Sequence, residues 1–174
     1  MRAGFRIIAA VSALLLSAFT LNAQEQEEEV PVQEEARMSL VDSILAYART
    51  FIGTPYQWAA SGPATFDCSG FVKYVYNHFG IDLPRTSTKM SLTYPRVDNY
   101  ADLRPGDLIF FGERVNIRRV GHVGILLSVD EEHGSFWFIH ASVNNGVEIQ
   151  RYTNPYYMMR YMGAGRVLES NEKR

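Results

Sequence analysis

The apolar residues of this 174-residue chain change their period once, at Pro105-Gly106-Asp107, and that change limits what the chain can become. Before it, apolar residues recur every three to four positions. Leu40, Ile44, Leu45, Ala48 and Phe51 predict an amphipathic helix over 38–51, stopped by Gly53 and kept from resuming by Pro55. Phe71, Val72, Val75 and Phe79 predict a second helix, ended by Gly80, with Cys68 in its first turn. Residues 82–106, punctuated by Pro84, Pro95 and Pro105, are expected to be irregular, with a short helical turn near 87–92. After 107 the period is two. Strands are predicted at 108–111, 120–129, 136–140, 147–152 and 163–168, with a polar turn at 130–134. Helices first and an antiparallel sheet afterwards define an α+β class.

The N-terminus reads differently. Arg2 and Arg6 precede an apolar run from Ile7 to Phe19, and Ala23 offers a small residue for cleavage. This is the layout of a signal peptide spanning 1–23. The run is short for a bilayer span, which needs roughly 20 apolar residues; an uncleaved anchor is the alternative. No cysteine follows it, so no lipid-modified N-terminal cysteine is expected. Residues 24–37, with six glutamates among Gln, Val and Pro, read as an acidic disordered linker. Residues 38–174 are then the folded domain, expected as a monomer whose only tie to a membrane is the export signal. The whole chain carries a formal charge of −2, and its negative excess sits in the linker. The remainder is near neutral, without the basic block that nucleic acid would require.

Cys68 is the single cysteine. In an exported protein it has no internal partner, so it is either a buried small apolar residue or a reactive thiol. Its place at a helix start favours the anion, because free N–H groups and the helix dipole stabilise a thiolate. The same N–H groups are suited to an oxyanion formed on attack at a carbonyl.

A thiol nucleophile needs a base, and the chain offers four histidines. His78 lies about ten residues along the Cys68 helix, roughly 15 Å away by helical rise. His133 sits in the polar turn. His122 and His140 remain, on two predicted strands of one hairpin. A turn centred on position 131 puts them directly opposite, with Cβ atoms roughly 5 Å apart. A centre at 132 makes them diagonal neighbours on one face, and a half-integer centre puts them on opposite faces. Both fall on the face opposite Val123, Ile125 and Leu127. Gly124 shares their face and, lacking a side chain, is expected to let the Cys68 helix approach. The resulting roles are Cys68 as nucleophile, His122 as base and His140 as the residue that orients His122. Satisfied core histidines are the competing reading. One Cys and two His leave a zinc site a ligand short, so no metal or other cofactor is expected.

Six ordered segments, Gly53-Thr54-Pro55-Tyr56-Gln57-Trp58, Phe66-Asp67-Cys68-Ser69-Gly70-Phe71-Val72, Leu83-Pro84-Arg85-Thr86-Ser87, Pro105-Gly106-Asp107-Leu108-Ile109-Phe110-Phe111, Gly121-His122-Val123-Gly124-Ile125 and Phe138-Ile139-His140-Ala141-Ser142, resemble the motifs of the NlpC family of cell-wall cysteine peptidases. The resemblance runs from about Ile44 to Val167. It implies a papain-like α+β fold with N-terminal helices packed on a small antiparallel sheet. It implies hydrolysis of peptidoglycan stem peptides, near γ-D-glutamate or diaminopimelate; the export signal makes the periplasm or the extracellular cell envelope the expected location. It carries the nucleophile to Cys68, the base to His122 and the third member to His140. It also places Tyr56 beside the sulfur as an oxyanion donor, Asp67 toward a substrate amine, and Ser69, Arg85 and Ser87 along the groove. For these last the plainer alternatives are a helix cap at Asp67 and loop residues at Arg85 and Ser87.

Two departures bear on the substrate site. Ala59 and Ala60 stand where the family usually has paired glycines, and Lys89 and Met90 stand where a glutamine is common. The aromatic group Tyr152, Tyr156, Tyr157 and Tyr161, with Met158 and Met159, lies between predicted strands, and core or edge packing is the expectation over a substrate platform. The functional alternatives are a wall amidase or acyltransferase using the same Cys-His pair, or a non-catalytic wall-binding module.

Overall fold

The structure is a computed structural model that describes residues 29–115 and 119–168. The expected signal peptide and the first residues of the expected linker lie outside these. The chain divides into two compact units, Met1–Ser39 and Leu40–Arg174. Helix α1 runs Glu29–Arg49. It therefore begins well before position 38, and residues 29–37, read as disordered linker, are helical. Glutamate and glutamine are good helix formers, so an acidic composition that cannot build a core can still extend a helix. Among the described residues no helix is long and apolar enough to cross a membrane.

In the second unit Val41, Ile44, Leu45 and Ala48 form the buried stripe of α1. Helix α2 spans Cys68–His78 and α3 spans Ser87–Thr93. The strands are β1 (Arg96–Val97), β2 (Leu108–Gly112), β3 (Val120–Asp130), β4 (Ser135–Ser142), β5 (Gly146–Arg151) and β6 (Tyr161–Gly165), with a one-turn helix α4 (Pro155–Met158) before β6. They make one six-stranded antiparallel sheet in the order β1-β6-β2-β3-β4-β5. The expected last strand was placed too late: its ladder runs 161–165.

Both faces of the sheet are covered. On one, Val123, Ile125, Leu127, Ile139, Ala141 and Val147 pack against Phe71, Val72 and Val75 of α2 and the stripe of α1. On the other, Ile109, Phe111, Leu126, Phe136 and Phe138 pack with Tyr157 and Leu103. This explains the unbroken apolar run Leu108-Ile109-Phe110-Phe111, since a strand buried on both sides has no polar face to alternate with. Each such side chain contributes roughly 1.5–3 kcal/mol by burial. Tyr76 of α2 donates from its hydroxyl to the Gly106 carbonyl, and Arg166 pairs with buried Asp107 at 3.0 Å, so the turn where the period changes is pinned from both sides.

The β3–β4 ladder decides how the histidines meet. At the tip the pairs are Asp130↔Ser135, Val129↔Phe136 and Ser128↔Trp137, a half-integer centre. A bulge between Leu126 and Ser128 then shifts the register, and Leu126↔Phe138 and Ile125↔Ile139 follow a centre at 132. His122 and His140 are consequently diagonal neighbours on one face. Gly124 has a different use from the one expected. Helix α2 packs on the Val123 face, whereas a Cβ at Gly124 would meet Phe138 Cδ2 and the Ile139 carbonyl oxygen at 2.9 Å and His140 Cβ at 3.2 Å. The missing side chain makes room for the histidine strand, not for the helix.

Candidate active site

Cys68 is the first residue of α2, and Asp67 is its N-cap, accepting from the Gly70 N–H at 2.6 Å. Gly70 is required there because an added Cβ would stand 2.1 Å from the Ala60 carbonyl oxygen. The thiol is buried and receives the N–H groups of Val123, Ser69 and Cys68 itself. Those donors favour the anion, as a helix start should, but they are outweighed. Burial first, and the Asp67 carboxylate second, push the thiol up to about 11. The expectation of a thiol pKa lowered by the helix start is therefore corrected: the resting group is a protonated thiol.

His122 leaves the start of β3 and shares with Cys68 and Tyr56 a cavity of about 460 Å³, whose walls include Trp58, Ser142 and Tyr156. Burial lowers its pKa to about 4, against a smaller opposing pull from Asp67. The resting pair is thus neutral thiol and neutral imidazole. His122 Nε2 lies 2.9 Å from His140 Nδ1. His140 is fully buried and held well below the usual imidazole range, by burial and then by His122. For His122 to accept a proton at Nδ1, its Nε2–H must donate to His140 Nδ1. His140 then carries its own proton on Nε2. That nitrogen lies 3.3 Å from the Tyr157 hydroxyl and 3.7 Å from Glu148 Oε1.

Tyr56 is half-buried on the cavity wall, and its phenol is raised by burial and then by the charges of Cys68 and Asp67. It stays a hydrogen-bond donor. Asp67, Ser69 and Arg85 form one network: Arg85 Nη2 meets Asp67 Oδ2 at 2.6 Å, and Arg85 Nη1 donates to Ser69 Oγ at 3.0 Å. Arg85 Nη2 also reaches the Ala60 carbonyl at 3.3 Å. The cap reading of Asp67 is observed, and its carboxylate is also paired with a cation of the chain itself, Arg85. Ser87 is buried at the start of α3 and does not line the Cys68 cavity. Ala59 adopts φ +62°, a left-handed conformation suited to the glycine it stands in place of.

The other histidines are elsewhere. His78 stacks on Tyr47 at 3.9 Å, and His133 pairs with Asp130 at 2.9 Å. Among the described residues no group of His, Cys, Asp or Glu could hold a metal ion. The aromatic group divides: Tyr157 is core, Tyr152 and Tyr161 pack at its edge, and Tyr156 is exposed on the cavity wall. Sequence reasoning missed Glu148 and Tyr157 behind His140. Glu148 was within reach, because a hairpin centred on Asn144 pairs it with His140, as observed. Tyr157 sits on a one-turn helix too short for any period to reveal.

A buried thiol at a helix start, an imidazole on the wall of the same cavity and a second imidazole in contact with the first are the kinds of group that nucleophilic attack on a carbonyl uses. Fold and site together define a papain-like α+β domain with a cysteine and a histidine on one cavity. The NlpC/P60 family model matches residues 53–166, and the chain belongs to that family. Probable endopeptidase p60 of Listeria innocua is 37% identical over 125 residues, covering 72% of this chain and 24% of the relative. Gamma-D-glutamyl-L-lysine dipeptidyl-peptidase of Bacillus cereus is 34% identical over 137 residues, covering 78% and 39%. The crystal structure of an NlpC/P60 family protein from Bacillus cereus superposes with a TM-score of 0.66 at 34% identity, covering 74% of this chain and 40% of that one. The chain thus spans well under half the length of these relatives.

Proposed function

We propose that this chain is an exported peptidoglycan hydrolase, a cysteine endopeptidase that cleaves stem-peptide bonds. The observation that carries the reading is that His122, on the wall of the cavity that holds Cys68, is held from behind by buried His140 at 2.9 Å. A histidine serving only the core has no need to share a cavity with the chain's one thiol. The name of one relative, a γ-D-glutamyl-L-lysine dipeptidyl-peptidase, supports the substrate class, and that of the other, an endopeptidase, supports the reaction type.

In this reading the Cys68 sulfur attacks the scissile carbonyl as His122 takes the thiol proton. His122 gives that proton to the departing amine, leaving a thioester. Water, deprotonated by His122, then releases the acid and restores the thiol. The oxyanion takes hydrogen bonds from Tyr56 and from N–H groups at the start of α2. His140 orients the His122 ring, while Asp67, Ser69 and Arg85 form a polar network at the start of α2 next to Cys68. The first 23 residues direct export, which puts the domain in the periplasm or outer envelope beside its substrate.

Mass spectrometry of defined muropeptides incubated with the protein, beside a Cys68→Ala control, tests the reading. A new amine and a new carboxylate made only by the wild type are expected. Intact fragments at every stem length, from folded and reduced protein, would remove it.

A further inference from the structure

A second cavity adjoins the first. It has a volume of about 450 Å³ and is lined by Arg96, Arg114 and Arg160, with Asp98 as its only carboxylate among the described residues. Gly112, at the end of β2, lines both cavities. A second link runs through Tyr156, on the wall of the Cys68 cavity: the Arg160 guanidinium stacks 3.8 Å over its ring. The Gly112 N–H donates to the Arg160 carbonyl at 2.6 Å, which fixes the arginine to the strand that the cavities share.

The charge in this second cavity is not balanced internally. Arg96 pairs with Asp98 at 2.7 Å. Among the described residues no carboxylate pairs with Arg114 or Arg160. Arg160 donates from Nη1 to the Tyr156 carbonyl at 3.4 Å, and its buried Nε has no hydrogen-bond partner. With Nε buried and Nη1 turned to the Tyr156 carbonyl, Nη2 is the group of the stacked guanidinium left to meet a carboxylate through a charge-assisted contact. Two cations in excess, one of them preset on a ring, form a cradle for an anion. Stem peptides of peptidoglycan are rich in free carboxylates.

We infer that the Arg96–Arg114–Arg160 cavity is a substrate subsite, which takes a free carboxylate on the arm of the peptide that runs past Gly112 from the bond at Cys68. The inference rests on the peptidoglycan-peptide reading for its ligand. It explains why the excess charge lies beside the reactive cavity in a domain that is otherwise near neutral. It also separates this subsite from the Asp67–Arg85 pair, whose charges satisfy each other.

The test uses the full chain carrying Cys68→Ala and two forms of one stem tetrapeptide, one with free carboxylates and one with them amidated. Calorimetry is expected to give about tenfold tighter binding of the acid form, the worth of one charge-assisted contact. Adding Arg114→Gln and Arg160→Gln is expected to bring that preference below about twofold, whereas Arg160→Lys, which keeps the charge and loses the planar stack on Tyr156, retains part of it. If the double variant fails to fold, Arg114→Gln alone, at an exposed position, is expected to cut the preference about threefold. Equal affinity for the two forms, a preference that survives the substitutions, or binding of neither form overturns the subsite. A parallel digest with wild type keeps the two readings apart. Cleavage without acid preference removes the subsite alone, and acid-preferring binding without cleavage removes the hydrolase reading alone.

Discussion

His122 and His140 meet ring to ring, Nε2 to Nδ1 at 2.9 Å and nearly perpendicular, although their backbones are not opposite one another in the β3–β4 ladder. The diagonal reach is possible because Gly124, between them on the same face, has no side chain. Gly124→Ala places a methyl 2.9 Å from the Ile139 carbonyl and 3.2 Å from His140 Cβ. The backbone on one side cannot yield, so β4 must shift. We expect a stability loss of about 1–3 kcal/mol, together with a fall in turnover much larger than the lost folded fraction explains. Urea unfolding and kcat measured on the same sample check this; kcat unchanged per folded molecule would count against it.

Stability should be highest near neutral pH and fall on both sides. His122 has its ordinary value at 6.5 and a folded value of about 4. Between these the unfolded chain holds a proton that the folded chain lacks, so stability drops as pH falls from 6.5 toward 4. Cys68 runs the other way, from 9.0 to about 11. Between those values the folded chain holds the extra proton, so stability drops as pH rises. Unfolding midpoints across this range should show the acid limb flattened in His122→Leu and the alkaline limb made shallower in Cys68→Ala. Limbs that keep their slopes in these variants would refute the assignment.

Much of this arrangement was legible in the sequence, and the failures have physical causes. Periodicity placed α2 and four of the strands within a residue or two, because each buries a face against an opposing layer. The histidine register was recoverable only as a set of parities. The tip of the hairpin in fact has the half-integer centre that excludes the pairing, and the bulge at Leu127 reverses it. No residue type announces a bulge of that kind. The thiol was misjudged because a helix start is a local feature, while burial by distant strands is not. The start of α1 was misplaced because acidic helix formers and acidic linkers share a composition.

Asp67→Asn should make the thiol more reactive while weakening the fold. The carboxylate is the second cause of the raised Cys68 pKa, so its loss lets the thiol ionise nearer its ordinary range. Alkylation by iodoacetamide at pH 8 should quicken about threefold to tenfold. Arg85 loses its ion pair, and the Gly70 N–H keeps only a neutral acceptor, for about 1–3 kcal/mol of destabilisation. An alkylation profile identical to wild type would show that the Asp67 charge does not reach the sulfur.

Ala59→Gly should stabilise the domain. A left-handed backbone costs a residue with a Cβ about 1–2 kcal/mol, and glycine returns part of this as unfolded-state entropy. A net gain of about 0.5–1 kcal/mol is expected, measured as a higher urea midpoint at unchanged slope. A lower midpoint would mean that the neighbouring Ala60 carbonyl, held by Asp67 and Arg85, depends on a stiff residue before it.

The bulge at Leu127 also separates two design problems that a regular hairpin would have to solve together. In an unbroken ladder the number of residues in the turn dictates which face every later side chain occupies, so each change of one residue at the tip would turn His140 into the opposite layer. Here the count is corrected before the histidines are reached. The outer end of the hairpin is therefore free to gain or lose single residues over evolutionary time, with the bulge appearing or vanishing in compensation, while the pair of imidazoles keeps its orientation.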